Sequence, residues 1–290
     1  MVGLEAFPIE VEVDSTPGLH SFSIVGLPDK TVEESKDRIA SAIKNSALIA
    51  PYRKNNKIIV NLAPADIKKE GPAYDLPIAL GYLLATKQIK FQTKDKIFLG
   101  ELSLDGSLRR VNGILSIAAM AQKKGFKEII LPDENVGEAS IVKDINILGI
   151  SSLSQLVSYL EGKLDLSPAA HLDYEKIKED NLDENIDFSQ IKGQEAAKRA
   201  TIIAASGGHN LLLYGPPGSG KTLLAQAIAG ILPKMSRDEA LEVTKIYSVC
   251  GLMKEKSILT QRPFRNPHHT TSAAAVIGGG TWPKPGEISL

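Results

Sequence analysis

The alternation of apolar and polar side chains is clearest near the start of the chain. Residues 2–13 read as a half-buried strand because the pattern repeats every second position. The alternating apolar positions are Ile9, Val11 and Val13. Thr16-Pro17-Gly18 has the composition of a turn, and residues 20–27 predict a second strand beyond it. Because so short a turn joins the two strands, we expect a β-hairpin.

A helical period follows this start. Residues 31–45 carry apolar side chains three and four positions apart, opposite a charged face, and predict a helix. Its inner positions are Val32, Ile39, Ala42 and Ile43. The pattern predicts further helices over 77–86, 114–124 and 153–160, strands over 58–62, 129–131 and 145–148, and a hairpin turn at Asp105-Gly106. Residues 1–162 therefore predict a mixed α/β domain with a largely antiparallel start.

The charges divide the chain into three parts. Residues 1–163 hold 20 Lys+Arg and 20 Asp+Glu, residues 164–190 hold 2 and 8, and residues 191–290 hold 12 and 6. The acidic part has few large apolar side chains, so we predict a connector over 163–187 and a second domain over 188–290. The basic excess of the last part suits a polyanionic partner, either a nucleotide or a nucleic acid.

Composition also indicates the cellular compartment of the protein. Cys250 is the single cysteine, which excludes an internal disulfide framework and a cysteine-rich zinc site and fits a reducing compartment. The first 14 residues contain four acids and no basic run, which is unlike a signal peptide. No stretch approaches the ~18 uninterrupted apolar residues of a membrane span. We therefore predict a cytoplasmic protein without a membrane partner.

The strongest motif is Gly215-Pro216-Pro217-Gly218-Ser219-Gly220-Lys221-Thr222, which fits the phosphate-binding loop pattern G-x-x-x-x-G-K-[ST]. Residues 210–214 before it predict a strand and residues 222–232 after it predict a helix, the context that this motif requires. The glycines let successive backbone N–H groups turn toward a phosphate chain. Lys221 is expected to reach the β- and γ-phosphates, and Thr222 is expected to bind Mg²⁺. Taken alone, the loop predicts that the protein binds ATP or GTP.

Other motifs surround this loop. Residues 194–206 predict a helix with inner positions at Ala196, Ala197, Ala200, Ile203 and Ala204. The segment at 188–194, which ends in Gly193-Gln194, resembles the entry of AAA+ ATPases. Six further stretches resemble the ComM/YifB family, in the magnesium-chelatase-like branch of that superfamily: residues 22–28, 60–66, 74–80, 262–270, 277–280 and 285–290.

This resemblance implies a Lon-protease-like α+β domain followed by an incomplete AAA+ P-loop NTPase α/β module. It implies ATP and Mg²⁺ as cofactors, with Gly193 and Gln194 beside the adenine. Members are described as hexameric ATPases, and one as a DNA branch-migration helicase of natural transformation, so self-association and DNA are the expected partners. Two alternatives are a chelatase-type motor that inserts a metal into a tetrapyrrole, and a binding module without motor activity. The Lon-like domain favours the DNA motor, because classical chelatase motor subunits lack that domain.

A peptidase is a further alternative, and the residues at the positions that match the catalytic dyad of Lon-type peptidases test it. Lon-type peptidases use a serine–lysine dyad, and the matching positions here hold Ala73 and Leu115. Without a hydroxyl there is no nucleophile, and without an amine there is no base. Tyr74 and Ser116 are one position away, which turns a helical side chain by ~100°. We therefore expect the first domain to be non-catalytic.

Hydrolysis normally requires a second strand that ends in acids, which help to hold Mg²⁺ and polarise the attacking water. After Thr222 no run of four apolar residues is followed by Asp-Glu. We expect an ATPase module that is truncated relative to its family and that binds nucleotide with little turnover.

Several weaker candidates remain. His268 and His269 are adjacent in a segment that we expect to be extended, so their rings should point to opposite sides and not bind one ion. Arg262 and Arg265 are either contacts to DNA or to a neighbouring subunit's nucleotide, or solvated surface arginines.

Three more positions complete this set. Lys68 and Lys69 are expected on a solvated face. Trp282 follows a glycine-rich stretch and is expected either to pack or to stack on a base.

Overall fold

The computed structural model describes residues 1–180, 186–253, 256–279 and 284–290. The chain forms two compact units. Unit 1 contains residues 1–172 and 248–257, and unit 2 contains residues 173–247 and 258–290. The boundaries 1–162, 163–187 and 188–290 stay predictions, and residues 181–185 of the predicted connector lie outside the described part, as does Trp282.

Unit 1 is a mixed α/β structure, as its sequence pattern predicts. Its strands are β1 (Glu10–Pro17), β2 (Ser21–Val25), β3 (Asn56–Ala63), β4 (Lys96–Phe98), β5 (Glu101–Leu102), β6 (Leu108–Arg109), β7 (Glu128–Pro132) and β8 (Asn146–Ile150). Its helices are α1 (Lys30–Asn45), α2 (Asp75–Ala85), α3 (Ile114–Lys123), α4 (Val136–Ala139) and α5 (Leu153–Leu160).

The first sheet has the order β1-β3-β2, with β3 antiparallel to β1 and parallel to β2. The predicted hairpin between the first two strands is therefore wrong. β3 buries Ile58, Val60 and Leu62 completely, and a strand this deep in the core has to pair its backbone on both edges. β1 and β2 supply these two edges, and α1 forms the crossover that the parallel pair requires.

The second sheet is parallel, in the order β4-β7-β8. β5 and β6 form a separate two-stranded antiparallel hairpin, and Gly106 in its turn has φ 89°. This confirms the hairpin predicted at Asp105-Gly106, because a glycine adopts the left-handed region that the turn needs without strain.

Helix α1 confirms the helical pattern most closely. Asp29 caps it by accepting a 2.8 Å hydrogen bond from the Val32 backbone N–H. The predicted inner positions Val32, Ile39, Ala42 and Ile43 are all fully buried. The helix therefore has one apolar stripe, which packs into the main core of unit 1.

Lys69 contradicts the expectation of a solvated face. Its side chain is fully buried, and its Nζ donates to the Pro64 carbonyl oxygen. Its backbone N–H donates to the Leu27 carbonyl at 3.1 Å, and its carbonyl accepts from the Asp29 N–H at 2.9 Å. These two backbone hydrogen bonds fix Lys69 beside the chain that leaves β2, and its side chain is buried there.

Unit 2 is mainly helical in the described residues. Its helices are α6 (Tyr174–Asp180), α7 (Glu195–Gly207), α8 (Lys221–Ile231), α9 (Arg237–Val249) and α10 (Ala273–Ile277), and its short strands are β9 (Gly278–Gly279) and β10 (Lys284–Pro285). A small core of Ile191, Leu224 and Ala227 is flanked by partly buried side chains that include Phe188 and Leu213. No helix in the described ranges is both long and apolar enough to cross a membrane.

Two predictions fail in detail within unit 2. On α7 the buried positions are Thr201 and Ala204, whereas Ile203 is 52% exposed. The polar residue is accommodated because Thr201 Oγ1 donates to the Ala197 carbonyl at 2.8 Å. Residues 210–214 are not assigned as a strand, because no described segment pairs with their backbone, and Tyr214 is 98% exposed.

Candidate nucleotide-binding site

The glycine-rich loop of unit 2 leads directly into α8. Gly218 has φ 76° and Gly220, the N-cap residue of the helix, has φ 85°. A Cβ atom at either position would meet no atom within 4 Å, so the backbone conformation, and not crowding, requires glycine there. The loop therefore depends on its glycines for its shape.

The start of α8 offers backbone donors. The first intrahelical bond runs from the Leu224 N–H to the Gly220 carbonyl at 2.9 Å. The preceding N–H groups, of Lys221, Thr222 and Leu223, have no partner inside the helix. Together with the positive end of the helix dipole, these groups favour an anion at this position.

Lys221 folds over the loop that precedes it. Its Nζ donates to the carbonyl oxygens of Gly215 at 2.9 Å and Pro216 at 2.7 Å, and lies 3.4 Å from Ser219 Oγ. An ammonium group has three N–H donors, so the loop engages all of them. The positive charge is thereby held at the mouth of the loop.

Thr222 occupies the first turn of α8 and is exposed. Its hydroxyl oxygen is the kind of hard ligand that Mg²⁺ prefers. It lies in the same first turn as Lys221, at the helix N-terminus where phosphate oxygens are favoured.

The predicted upstream segment lies against this loop. Gly193 has φ 68° and Gln194 has φ 57°, and α7 begins immediately afterwards. Gln194 Nε2 donates to the Ser219 carbonyl at 3.4 Å. The structure thus brings together two segments that are 25 residues apart. The family resemblance implies a place beside the adenine for Gln194, and no sequence motif indicates this contact.

These features fit a nucleotide with Mg²⁺. The loop supplies a glycine backbone with open space, unpaired helix N–H groups, an ammonium group and a hydroxyl group. Phosphate oxygens accept hydrogen bonds from backbone amides and ammonium groups, and Mg²⁺ takes oxygen ligands. The assignments of Gly215 to Thr222, Gly193 and Gln194 stay predictions until a ligand is tested.

The two arginines are paired with carboxylates. Arg262 Nη2 lies 2.9 Å from Glu239 Oε1, and its Nε donates to the Pro233 carbonyl at 2.8 Å. Arg265 forms a two-bond fork with Glu287, 2.7 Å in each arm, which lowers the pKa of that carboxyl group. The contacts to DNA or to a neighbouring nucleotide remain a prediction for both.

The histidine pair differs from the prediction. The rings of His268 and His269 lie on the same side, with centroids 4.1 Å apart. The segment turns here, since the Thr271 N–H donates to the His268 carbonyl at 2.9 Å, so the alternation of an extended chain does not apply. Within the described ranges, no group of three or more His, Cys, Asp or Glu residues is arranged to hold a metal ion.

The two dyad positions lie in unit 1. Ala73 belongs to a short 3-10 helix, Pro72–Tyr74, and is partly buried against an apolar cluster of unit 1 that includes Ile114 and Leu131. Leu115 is buried in the first turn of α3, and its N–H donates to Glu138 Oε1 at 2.9 Å. Burial raises the pKa of the neighbouring Tyr74 phenol to about 12. Both dyad positions hold hydrocarbon side chains, and the lack of peptidase activity stays a prediction.

Comparison with known proteins finds family matches in both parts of the chain. The family model for subunit ChlI of magnesium chelatase matches residues 11–135, and a second model, also described as magnesium chelatase subunit ChlI, matches residues 187–290. Competence protein ComM of Haemophilus influenzae is 43% identical over 290 residues, which cover all of this chain and 56% of ComM. The chain belongs to the ComM/YifB family of magnesium-chelatase-like proteins.

Other ComM/YifB members show the same coverage. YifB of Escherichia coli, described as uncharacterized, is 44% identical over 290 residues and is likewise covered to 56%. The chain thus spans little more than half the length of these ComM/YifB relatives. A shorter match, 33% identical over 93 residues, links 32% of the chain to 20% of DNA repair protein RadA of Listeria monocytogenes. Membership implies ATP and Mg²⁺ in general terms, since the ComM/YifB chain carries part of a magnesium-chelatase module.

Proposed function

We propose that this chain is the ATP-binding part of an AAA+ ATPase that acts on DNA and assembles as a hexamer in its full-length form. One arrangement carries the proposal: the Lys221 ammonium is bound to the Gly215 and Pro216 carbonyls of a glycine loop that leads directly into the N-terminus of α8. We also propose a cytoplasmic location, which the single cysteine favours.

Each residue has a distinct role in this proposal. The backbone N–H groups of residues 218–222 hold phosphate oxygens, and Lys221 neutralises their charge. Thr222 supplies its hydroxyl to Mg²⁺, which offsets the negative charge of the phosphate chain when it is bound. Gln194 contacts the loop, and the family resemblance implies that Gly193 and Gln194 lie beside the adenine.

The choice of DNA rests on two observations. The names of two relatives refer to competence and to DNA repair. Residues 191–290 also carry six more basic than acidic side chains. The alternative is a chelatase-type motor, which the descriptions of the family models favour. A full-length relative separates them: ATP-stimulated unwinding of branched DNA supports the first, and ATP-dependent metal insertion into a tetrapyrrole supports the second.

We further propose that unit 1 is a Lon-like domain without peptidase activity. Ala73 and Leu115 provide neither a nucleophile nor a base at the two dyad positions. The test is a peptide-cleavage assay on the whole chain. Cleavage that disappears in Ser116→Ala or Tyr74→Phe would overturn this reading.

The central test is nucleotide binding by Lys221→Ala. Removing a charge-assisted hydrogen-bond donor should weaken the binding of MgATP by about 10- to 100-fold, measured by isothermal titration calorimetry. Lys234→Ala is the matched control, because it removes the same charge from an exposed position outside the loop. Equal affinities of the wild type and Lys221→Ala, or no binding of MgATP to the wild type, would contradict the proposal.

A further inference from the structure

Gln194 enters α7 in an unusual way. Its backbone is left-handed, with φ 57° and ψ 38°, a conformation that side chains other than glycine and asparagine seldom adopt. Its carbonyl accepts from the Lys198 N–H at 2.9 Å, which starts the helix, but its side chain does not cap α7. The side-chain amide instead reaches across to the Ser219 carbonyl at 3.4 Å.

Ser219 receives contacts from two directions. Its carbonyl accepts from Gln194, and its Oγ lies 3.4 Å from Lys221 Nζ. Both contacts are long, so neither alone is a strong bond. They act on one residue, however, and that residue lies between the two glycines that shape the loop, Gly218 and Gly220.

We propose that Gln194 is a positioning residue that holds Ser219 and so sets the geometry with which the loop binds phosphates. The inference rests on the proposed nucleotide-binding function and deepens it. The resemblance alone had placed Gln194 beside the base. The contact to Ser219 joins it to the part of the site that every nucleoside triphosphate uses, so its effect does not depend on the base.

The test compares three probes: MgATP, MgGTP and inorganic tripolyphosphate with Mg²⁺. Gln194→Gly should weaken all three by the same factor, about two- to fivefold, with the loss of one ordinary hydrogen bond as the upper end, in calorimetric titrations. The unfolding temperature should stay equal or rise, because glycine adopts the left-handed backbone without strain. A role confined to the start of α7 would instead leave the binding of all three probes unchanged, since glycine fits that backbone.

Gln190→Gly is the matched control, because Gln190 is an exposed glutamine in the same segment and should leave the three affinities unchanged. Wild-type affinity in Gln194→Gly would overturn the inference, and so would a loss confined to MgATP, which would mean that the residue reads the base. If Lys221→Ala loses all three probes while Gln194→Gly binds them normally, this inference fails and the proposed function stands. If the wild type binds none of the probes, both fail.

Discussion

Lys69 places an ammonium group completely inside unit 1. Burial lowers the pKa of this group, and the nearby carboxylate of Asp66 opposes the shift. The charged form is therefore less stable in the folded protein than in the unfolded chain. Nothing in the pattern of Lys68-Lys69-Glu70 indicates this, because the backbone hydrogen bonds from Lys69 to Leu27 and Asp29 join residues about 40 positions apart in the chain.

A pH dependence follows from Lys69. Between its lowered pKa and the ordinary value of 10.5, the unfolded chain binds more protons at this site than the folded protein. Stability attributable to Lys69 should therefore rise with pH through this window. We expect the free energy of opening of the wild type, relative to Lys69→Met, to increase as the pH is raised from 7 toward 10. Hydrogen exchange of the β3 amides measures this free energy of opening. A difference between wild type and Lys69→Met that stays constant across this pH range would contradict the lowered pKa of Lys69.

Secondary-structure elements were predictable where their pattern is local. Helix α5 spans Leu153–Leu160, the predicted range, and α1 differs from its predicted range by one residue at its start. The sheet order was not predictable, because the placement of β3 between β1 and β2 depends on contacts between residues more than 30 positions apart. A turn motif indicates where a strand ends, but it does not determine which strand becomes its neighbour.

One ion pair links α1 to α2. The Arg38 guanidinium binds Asp75 through two bonds, of 2.8 Å and 2.9 Å, and this carboxylate is fully buried. We expect Arg38→Met to lower the free energy of unfolding of unit 1 by about 3 kcal/mol, because it leaves a buried charge without its partner. Hydrogen exchange of the α2 amides reports this change separately from unit 2.

The control for this pair lies on the same helix. Lys30 and Glu34 form an ion pair whose side chains are 90% and 60% exposed, so Lys30→Met should change the free energy of unfolding little. Equal effects of Arg38→Met and Lys30→Met would contradict the importance of burial.

At the scale of the whole molecule, the charges are unevenly distributed. Residues 191–290 are basic, while residues 164–190 are acidic. If DNA is the partner, its binding should weaken with salt as counterions return to the phosphates. Two neutralised phosphates correspond to a loss of about tenfold in affinity between 50 and 200 mM salt. Fluorescence anisotropy with a labelled branched duplex measures this slope, and binding that is insensitive to salt would exclude an electrostatic contact.

The candidate site shows the same division between local and distant information. The loop from Gly215 to Thr222 is contiguous, so eight neighbouring residues suffice to identify it. The approach of Gln194 to Ser219 depends on how α7 and α8 pack through their small core, which no single motif encodes. The two short motifs could thus be found separately, whereas their contact required the fold.

Because the loop binds the Lys221 ammonium, the side chain loses conformational entropy when the protein folds and not when a ligand binds. A free lysine gives up about 1.5–2 kcal/mol of rotamer freedom when it is fixed. With its ammonium bound to Gly215 and Pro216, much of that freedom is already lost before any ligand arrives. The ordering cost therefore lowers the stability of the ligand-free loop, and a phosphate chain that binds Lys221 exchanges hydrogen bonds with a side chain that is already confined.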